Sequence, residues 1–232
     1  MPSSESDFVT YGTPPEVIGT FDLEWSEYMH YMYLPVYMDG GLALPERLEF
    51  LMPMLTAAWN REYMGLSDDD WRYVYVTARR GFATPGNPLN RPGWHSDGFG
   101  TDDVNYIWTD RFPTQFALGD FEDISDDHVR SIEQFEEHVR DRLDPDLEIV
   151  EYDPCTLLRL TSAQVHRAPI IHEAGERGFV KISFSNSRYN LRGNSHNHRF
   201  EYDWHMHDRA ALRNDPAYAG GDAGPQEADH GV

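Results

Sequence analysis

Cysteine occurs once in the 232 residues, at Cys155, which excludes an intramolecular disulfide framework. Basic side chains are scarce: 19 Lys and Arg face 40 Asp and Glu, for a formal charge of −21. Such a field repels a phosphate backbone unless a basic groove is set aside for it, and no cluster of Lys and Arg stands out along the chain, so nucleic acid is not an expected partner. No run approaches the roughly 20 apolar residues of a bilayer-spanning helix. Residues 1–8 have neither the basic segment nor the apolar core of a secretion signal. The expectation is a soluble, cytoplasmic protein with no membrane contact. Internal repeats and glycine-rich nucleotide loops are also missing.

What is present suffices for a core, at 40% hydrophobic and 13% aromatic residues. The expected organisation is a frayed N-terminus over residues 1–15, one domain with a C-terminal extension over 16–215, and a Gly- and acid-rich tail over 216–232. Within residues 45–60, Leu48, Leu51, Met52, Leu55 and Trp59 recur at helical spacing, with a kink expected at Pro53. A second helix is expected after an N-cap at Ser125, with Val129, Ile132, Phe135, Val139 and Leu143 as its buried stripe. Short strand-like segments cover 71–77, 104–108, 114–118, 147–152, 156–160 and 179–184. Few helices and many turn-bounded strands predict a mainly β fold with flanking helices, an antiparallel barrel or sandwich rather than a parallel sheet. Residues 80–94 read as a long loop and a candidate lid, flanked by Arg79, Arg80 and Arg91, which serve either as solvated arginines or as partners of an acidic substrate group.

Eleven histidines are many for this length. In RPGWHSDGFG, an extended backbone puts His95 and Asp97 on one side, with Cα atoms about 7 Å apart, where imidazole and carboxylate can grip one metal ion. His166 follows far downstream in QVHRAP. In the next strand, Arg177, Phe179, Lys181, Ser183 and Ser185 share one face, and Val180, Ile182 and Phe184 share the other. A row with two cations lining an interior calls for an anion there. The pairs His196/His198 and His205/His207 read as exposed or packing residues of a C-terminal extension, because Glu201 lies too close for a cupin-like ligand pattern.

His-x-Asp, a distant His in an HRAP context and a cation on the following strand together resemble the iron(II)- and 2-oxoglutarate-dependent oxygenase family over roughly residues 71–190. The resemblance implies a double-stranded β-helix, a jelly-roll or cupin-like barrel. It implies a facial triad of His95, Asp97 and His166 for Fe(II), with 2-oxoglutarate as co-substrate and O2 as oxidant. Either Arg177 or Lys181 followed by Ser183 would bind the far carboxylate of 2-oxoglutarate; the register with His172 as distal ligand favours Lys181. Tyr106 or Asn105 is a further candidate for co-substrate contact. Retention of Asp97 favours hydroxylation over halogenation. The expected substrate is a small molecule, such as an amino acid or natural-product intermediate, and the acidic surface steers towards neutral or cationic ones. The rivals are oxidation of a nucleobase or macromolecular side chain, and a cupin-like metal or sugar binder without oxygenase activity.

Overall fold

The structure, a computed structural model, describes residues 9–63 and 71–208. The expected tail over 216–232 lies outside the described residues. Strands β1 (Glu16–Thr20), β2 (Met29–Met38) and β3 (Gly41–Leu42) come first, then a 3-10 turn (Glu46–Leu51) running into helix α1 (Met52–Tyr63). Strands β4 (Tyr73–Ala83), β5 (His95–Ser96), β6 (Val104–Thr109) and β7 (Gln115–Leu118) lead to helix α2 (His128–Asp141). Strands β8 (Glu148–Glu151), β9 (Thr156–Leu160), β10 (Val165–Arg167) and β11 (Gly175–Ser185) follow, and the described residues continue to 208 without a further named helix or strand.

These strands make two antiparallel sheets, ordered β1-β9-β6-β11-β4-β2-β3 and β5-β10-β7-β8. The pairing is nested: β4 with β11, β5 with β10, β6 with β9 and β7 with β8. Two further ladders, β11 with β6 and β10 with β7, lay these pairs side by side. No ladder joins the two sheets among the described residues, so the mainly β class is observed as two facing sheets and not as a barrel closed by hydrogen bonds. Ile107, Leu158, Leu160 and Phe179 of the large sheet meet Phe116 of the small one between them.

Both helices lie outside this pair of sheets. Helix α1 and the turn before it cover the large sheet, where Leu48, Leu51 and Leu55 are at most 2% exposed against Val180, Ile182 and Phe184. Each such side chain contributes about 2 kcal/mol by its removal from water. Pro53 causes no kink within the helix, since it stands in the first turn of α1, where a missing N–H has no intrahelical partner to lose. The N-cap of α2 is Asp127, not Ser125: its carboxylate accepts from the Arg130 N–H at 2.8 Å. The stripe expected on α2 is narrower than its periodicity suggests, with Phe135 fully buried and Val129 and Leu143 exposed. Arg142 ends the helix in a left-handed conformation, which leaves Leu143 beyond the last turn. At the N-terminus, Tyr11 stacks on Phe99 and Gly12 donates to the Ala163 carbonyl, so the expected fraying does not extend to these residues. Among the described residues no helix is long and apolar enough to cross a membrane.

Candidate metal centre

Antiparallel pairing of β5 with β10 sets His95 opposite His166, with ring centroids 4.6 Å apart. Asp97 follows two residues later on the same side, its Oδ1 4.0 Å from His95 Nε2 and its Oδ2 3.6 Å from His166 Nε2. One ligand atom from each residue lies within 4.8 Å of the others. This group can hold a metal ion, and it is the one such cluster found among the described residues. The histidines at 196, 198, 205 and 207 form no comparable cluster; His196, His198 and His205 are exposed. His172 is also exposed, on the bend before β11, so His166 is the distal histidine that the fold delivers to His95 and Asp97.

Local structure orients the ligands. The β5 segment is pinned from outside by α2, whose Glu136 accepts the Trp94 N–H at 2.7 Å. Immediately after Asp97 the chain turns at Gly98, with φ +73°, where an added Cβ would stand 3.2 Å from the Asp103 carbonyl oxygen. His95 Nδ1 lies 2.8 Å from the Gly93 carbonyl oxygen and His166 Nδ1 3.0 Å from that of Gln164. A carbonyl only accepts, so both contacts are hydrogen bonds when Nδ1 carries the proton. Both Nε2 lone pairs are then left to point at the common centre.

Charge is tuned in the same sense. Burial, reinforced by the neighbouring His166, pushes the His95 pKa down to about 4, so this imidazole is neutral at ordinary pH. Burial alone would raise the pKa of Asp97, but the Lys181 ammonium 2.9 Å away and the two imidazoles hold it well below the usual carboxylate range. The neutral His95 nitrogen and the ionised Asp97 oxygen therefore meet at one point beside the His166 ring.

The centre opens into a cavity of about 230 Å³, room for about eight waters at 30 Å³ each and thus of small-molecule size. Lys181, Arg79 and Arg91 line it together with Ile107, Leu89 and Phe179. The other candidates from the sequence fall elsewhere. Arg177 is fully buried and tied to loop backbone, donating from Nε to the Phe112 carbonyl at 2.9 Å and from Nη1 to that of Pro88 at 3.2 Å and to the Asn90 side chain. Its Nη2 is buried with no hydrogen-bond partner among the described residues. Ser183 donates to Asn105 Oδ1 at 2.7 Å, deep in the sheet. Tyr106 faces the opposite way: its hydroxyl binds Glu62 of α1, because register pairs it with outward-facing Ile182. It is therefore corrected from co-substrate contact to core residue.

The expected loop over 80–94 starts later than the sequence indicates, since β4 continues to Ala83. Leu89 and Asn90 of the remaining loop line the cavity, and the Arg79 guanidinium donates to the Leu89 carbonyl. Sequence reasoning missed Tyr33 entirely. A bulge in β2 between Tyr31 and Leu34 gives it φ +46° and turns its ring to within 5.3 Å of the Lys181 ammonium. No protein-family model and no curated protein matches the chain.

Proposed function

We propose that this protein is an Fe(II)- and 2-oxoglutarate-dependent oxygenase that hydroxylates a small molecule. The observation that carries this reading is the convergence of His95, Asp97 and His166 on one point at the edge of a small, cation-lined cavity. Two imidazoles and one carboxylate fit ferrous iron, and they leave coordination positions for a chelating 2-oxo acid and O2. The nested strand pairs add support, since a double-stranded β-helix requires such an order of antiparallel pairing.

When bound, the iron supplies the redox chemistry in which O2 and 2-oxoglutarate yield succinate, CO2 and one oxygen atom for a substrate C–H bond. The protein's own groups do the positioning. Backbone carbonyls of Gly93 and Gln164 fix the ring orientations of the two histidines. Lys181 keeps Asp97 ionised, and its ammonium lines the cavity where the far carboxylate of the co-substrate needs a cation. That place favours Lys181 over Arg177, whose guanidinium is engaged with the loop. The apolar Ile107 and Phe179 give the cavity a patch of wall that a carbon skeleton can pack against.

The test is anaerobic loading of the purified chain with Fe(II) and 2-oxoglutarate, followed by O2 and quantification of succinate. Iron-dependent succinate, abolished in His166→Ala with the fold retained by circular dichroism, is the expected outcome. Tight metal binding without succinate or O2 uptake, across a substrate screen, would leave a metal-binding protein and sink the oxygenase reading.

A further inference from the structure

Arginines 79 and 80 are neighbours in β4 and meet opposite surroundings. Arg80 points outward and is answered by Asp110 at 2.5 Å and Glu176 at 2.7 Å. Arg79 points inward, between Phe179 of β11 and His30 of β2, and lines the cavity. Its hydrogen bond to the Leu89 carbonyl carries no charge to balance it. Arg91, on the loop across the cavity, lines the same space. Among the described residues neither Arg79 nor Arg91 has a carboxylate within 4.0 Å. In a chain with 40 acidic and 19 basic side chains, two guanidinium groups without a carboxylate at one cavity are unexpected by composition. For the half-buried Arg79 this is costly as well, because a partly desolvated cation without an anion is penalised, whereas Arg91 is exposed where it lines the cavity.

The remaining charges at the site balance without them. A divalent metal ion and Lys181 are neutralised by Asp97 and by the two carboxylates of 2-oxoglutarate. Asp97 is the one carboxylate side chain among the residues lining the cavity, so the charge of Arg79 and Arg91 remains for another ligand. Arg167 lines the cavity as well and has no carboxylate within 4.0 Å among the described residues, but it differs from Arg79 in that the carboxylates of Glu136 and Glu151 act on its charge from outside the cavity. Pairing places it opposite Gln115, which accepts its Nε–H at 2.8 Å, and its guanidinium stacks 4.4 Å from the Trp94 ring.

We propose that Arg79 and Arg91 form a second anion subsite, which holds a carboxylate or phosphate group of the substrate while its reacting carbon faces the metal centre. The inference rests on the oxygenase reading for calling that ligand the substrate. It reverses the expectation of a neutral or cationic substrate drawn from net charge: the surface is acidic as a whole, but the cavity is not. A planar guanidinium donates two parallel N–H groups to either oxyanion, so both chemistries suit the pair.

The experiment uses the full chain loaded with Mn(II) and saturating 2-oxoglutarate, titrated by calorimetry with inorganic phosphate and, separately, with acetate. Saturable binding of at least one anion is expected, and the tighter of the two identifies the group. Arg79→Gln and Arg91→Gln should each weaken it about tenfold, Arg79→Lys less, and the exposed Arg47→Gln not at all. Thermal melting confirms that the variants are folded. Anions that compete with 2-oxoglutarate, or that bind the arginine variants as tightly as the parent, would overturn the subsite. Metal-dependent 2-oxoglutarate binding with neither anion bound would overturn it too, while leaving the oxygenase reading in place. Anion binding through Arg79 and Arg91 without any 2-oxoglutarate binding would keep the subsite and remove the oxygenase reading.

Discussion

The large sheet has buried charge on both faces, and the two clusters differ in how they are completed. Behind the sheet, Glu62 of α1 is 3% exposed. It accepts Arg159 Nε at 2.6 Å on one oxygen and Arg159 Nη2 at 3.4 Å on the other, with the Tyr106 hydroxyl added. Arg159 is also 4.0 Å from Glu16, which pairs with Arg61 at 2.8 Å, so two carboxylates meet two guanidinium groups and the charges balance within the protein. Within the sheets, Asp97 meets Lys181 at 2.9 Å, yet two imidazole lone pairs, two arginines and a cavity of about 230 Å³ remain. Burial and ion pairing are common to both clusters, so neither identifies a functional site. Unused donor capacity beside unfilled volume does.

Exchanging the roles of the two carboxylates gives the largest effects. Asp97→Ala should lower metal affinity at least 100-fold, more than the loss of a hydrogen bond that merely orients a ligand, and reduce succinate to background with the fold retained. Glu62→Ala should do the reverse. It leaves the buried Tyr106 hydroxyl without its acceptor and the half-buried Arg159 with Glu16 alone, 4.0 Å away, and costs about 3 kcal/mol in denaturant unfolding, the low end for a broken buried pair, yet metal affinity measured on the folded fraction stays within about twofold. Should Glu62→Ala weaken metal binding as much as Asp97→Ala, the two faces would be one coupled network and the contrast would fail.

The next effect is a pH dependence confined to the cavity side. With its pKa near 4 in the folded protein against 6.5 in the unfolded chain, His95 favours the native state fully above pH 6.5, where neither state binds the proton. Below that, the unfolded chain takes up the proton first. Stability is therefore lost as pH falls from 6.5 to about 4 and levels off beneath it. The loss attributable to this residue is about 3 kcal/mol. In metal-free protein, His95→Gln should flatten the stability curve across this window by that amount. Equal slopes for parent and variant would mean that the ring is hydrated in the folded state.

What could be read from the sequence follows the distance over which each feature is encoded. The alternation Val180, Ile182, Phe184 against Phe179, Lys181 is local to one strand, and the faces it assigns are those of β11. The order His95, Asp97, His166 is a pattern of residue types, and the fold brings these three together. Four things were not legible. Strand β2 was hidden because YMYLPVYM has no clean alternation and contains Pro35. The turn of Tyr33 into the cavity depends on a bulge whose cause is pairing with β4, at Thr77, far along the chain. The engagement of Arg177 with loop backbone, where Lys181 instead lines the cavity, depends on where a distant loop places the carbonyls of Pro88 and Phe112. Tyr106 was misplaced for the related reason that its strand is buried on both faces, which removes the polar-apolar alternation that would have shown its direction.

Helix α2 provides the smallest and most discriminating contrast, because its periodicity overstates its buried face. Val129 and Leu143 are 57% and 60% exposed, whereas Phe135 is fully buried with Trp94, Phe121 and Leu147 behind the small sheet. Phe135→Ala should therefore cost about 3–5 kcal/mol by transfer and cavity terms together. It should also loosen the support of the His95 strand, since Trp94 packs in the same cluster and Glu136, the next residue on the helix, holds the Trp94 N–H. Val129→Ser and Leu143→Ser should each change unfolding free energy by at most about 0.5 kcal/mol, because water already reaches both side chains. If Leu143→Ser cost as much as a core truncation, the helix would have to run past Arg142 and bury its last turn. The left-handed cap at Arg142, with φ 48° and ψ 55°, forbids that without a change of backbone path. A flat response at Leu143 beside a steep one at Phe135 thus locates the end of the helix by thermodynamics alone.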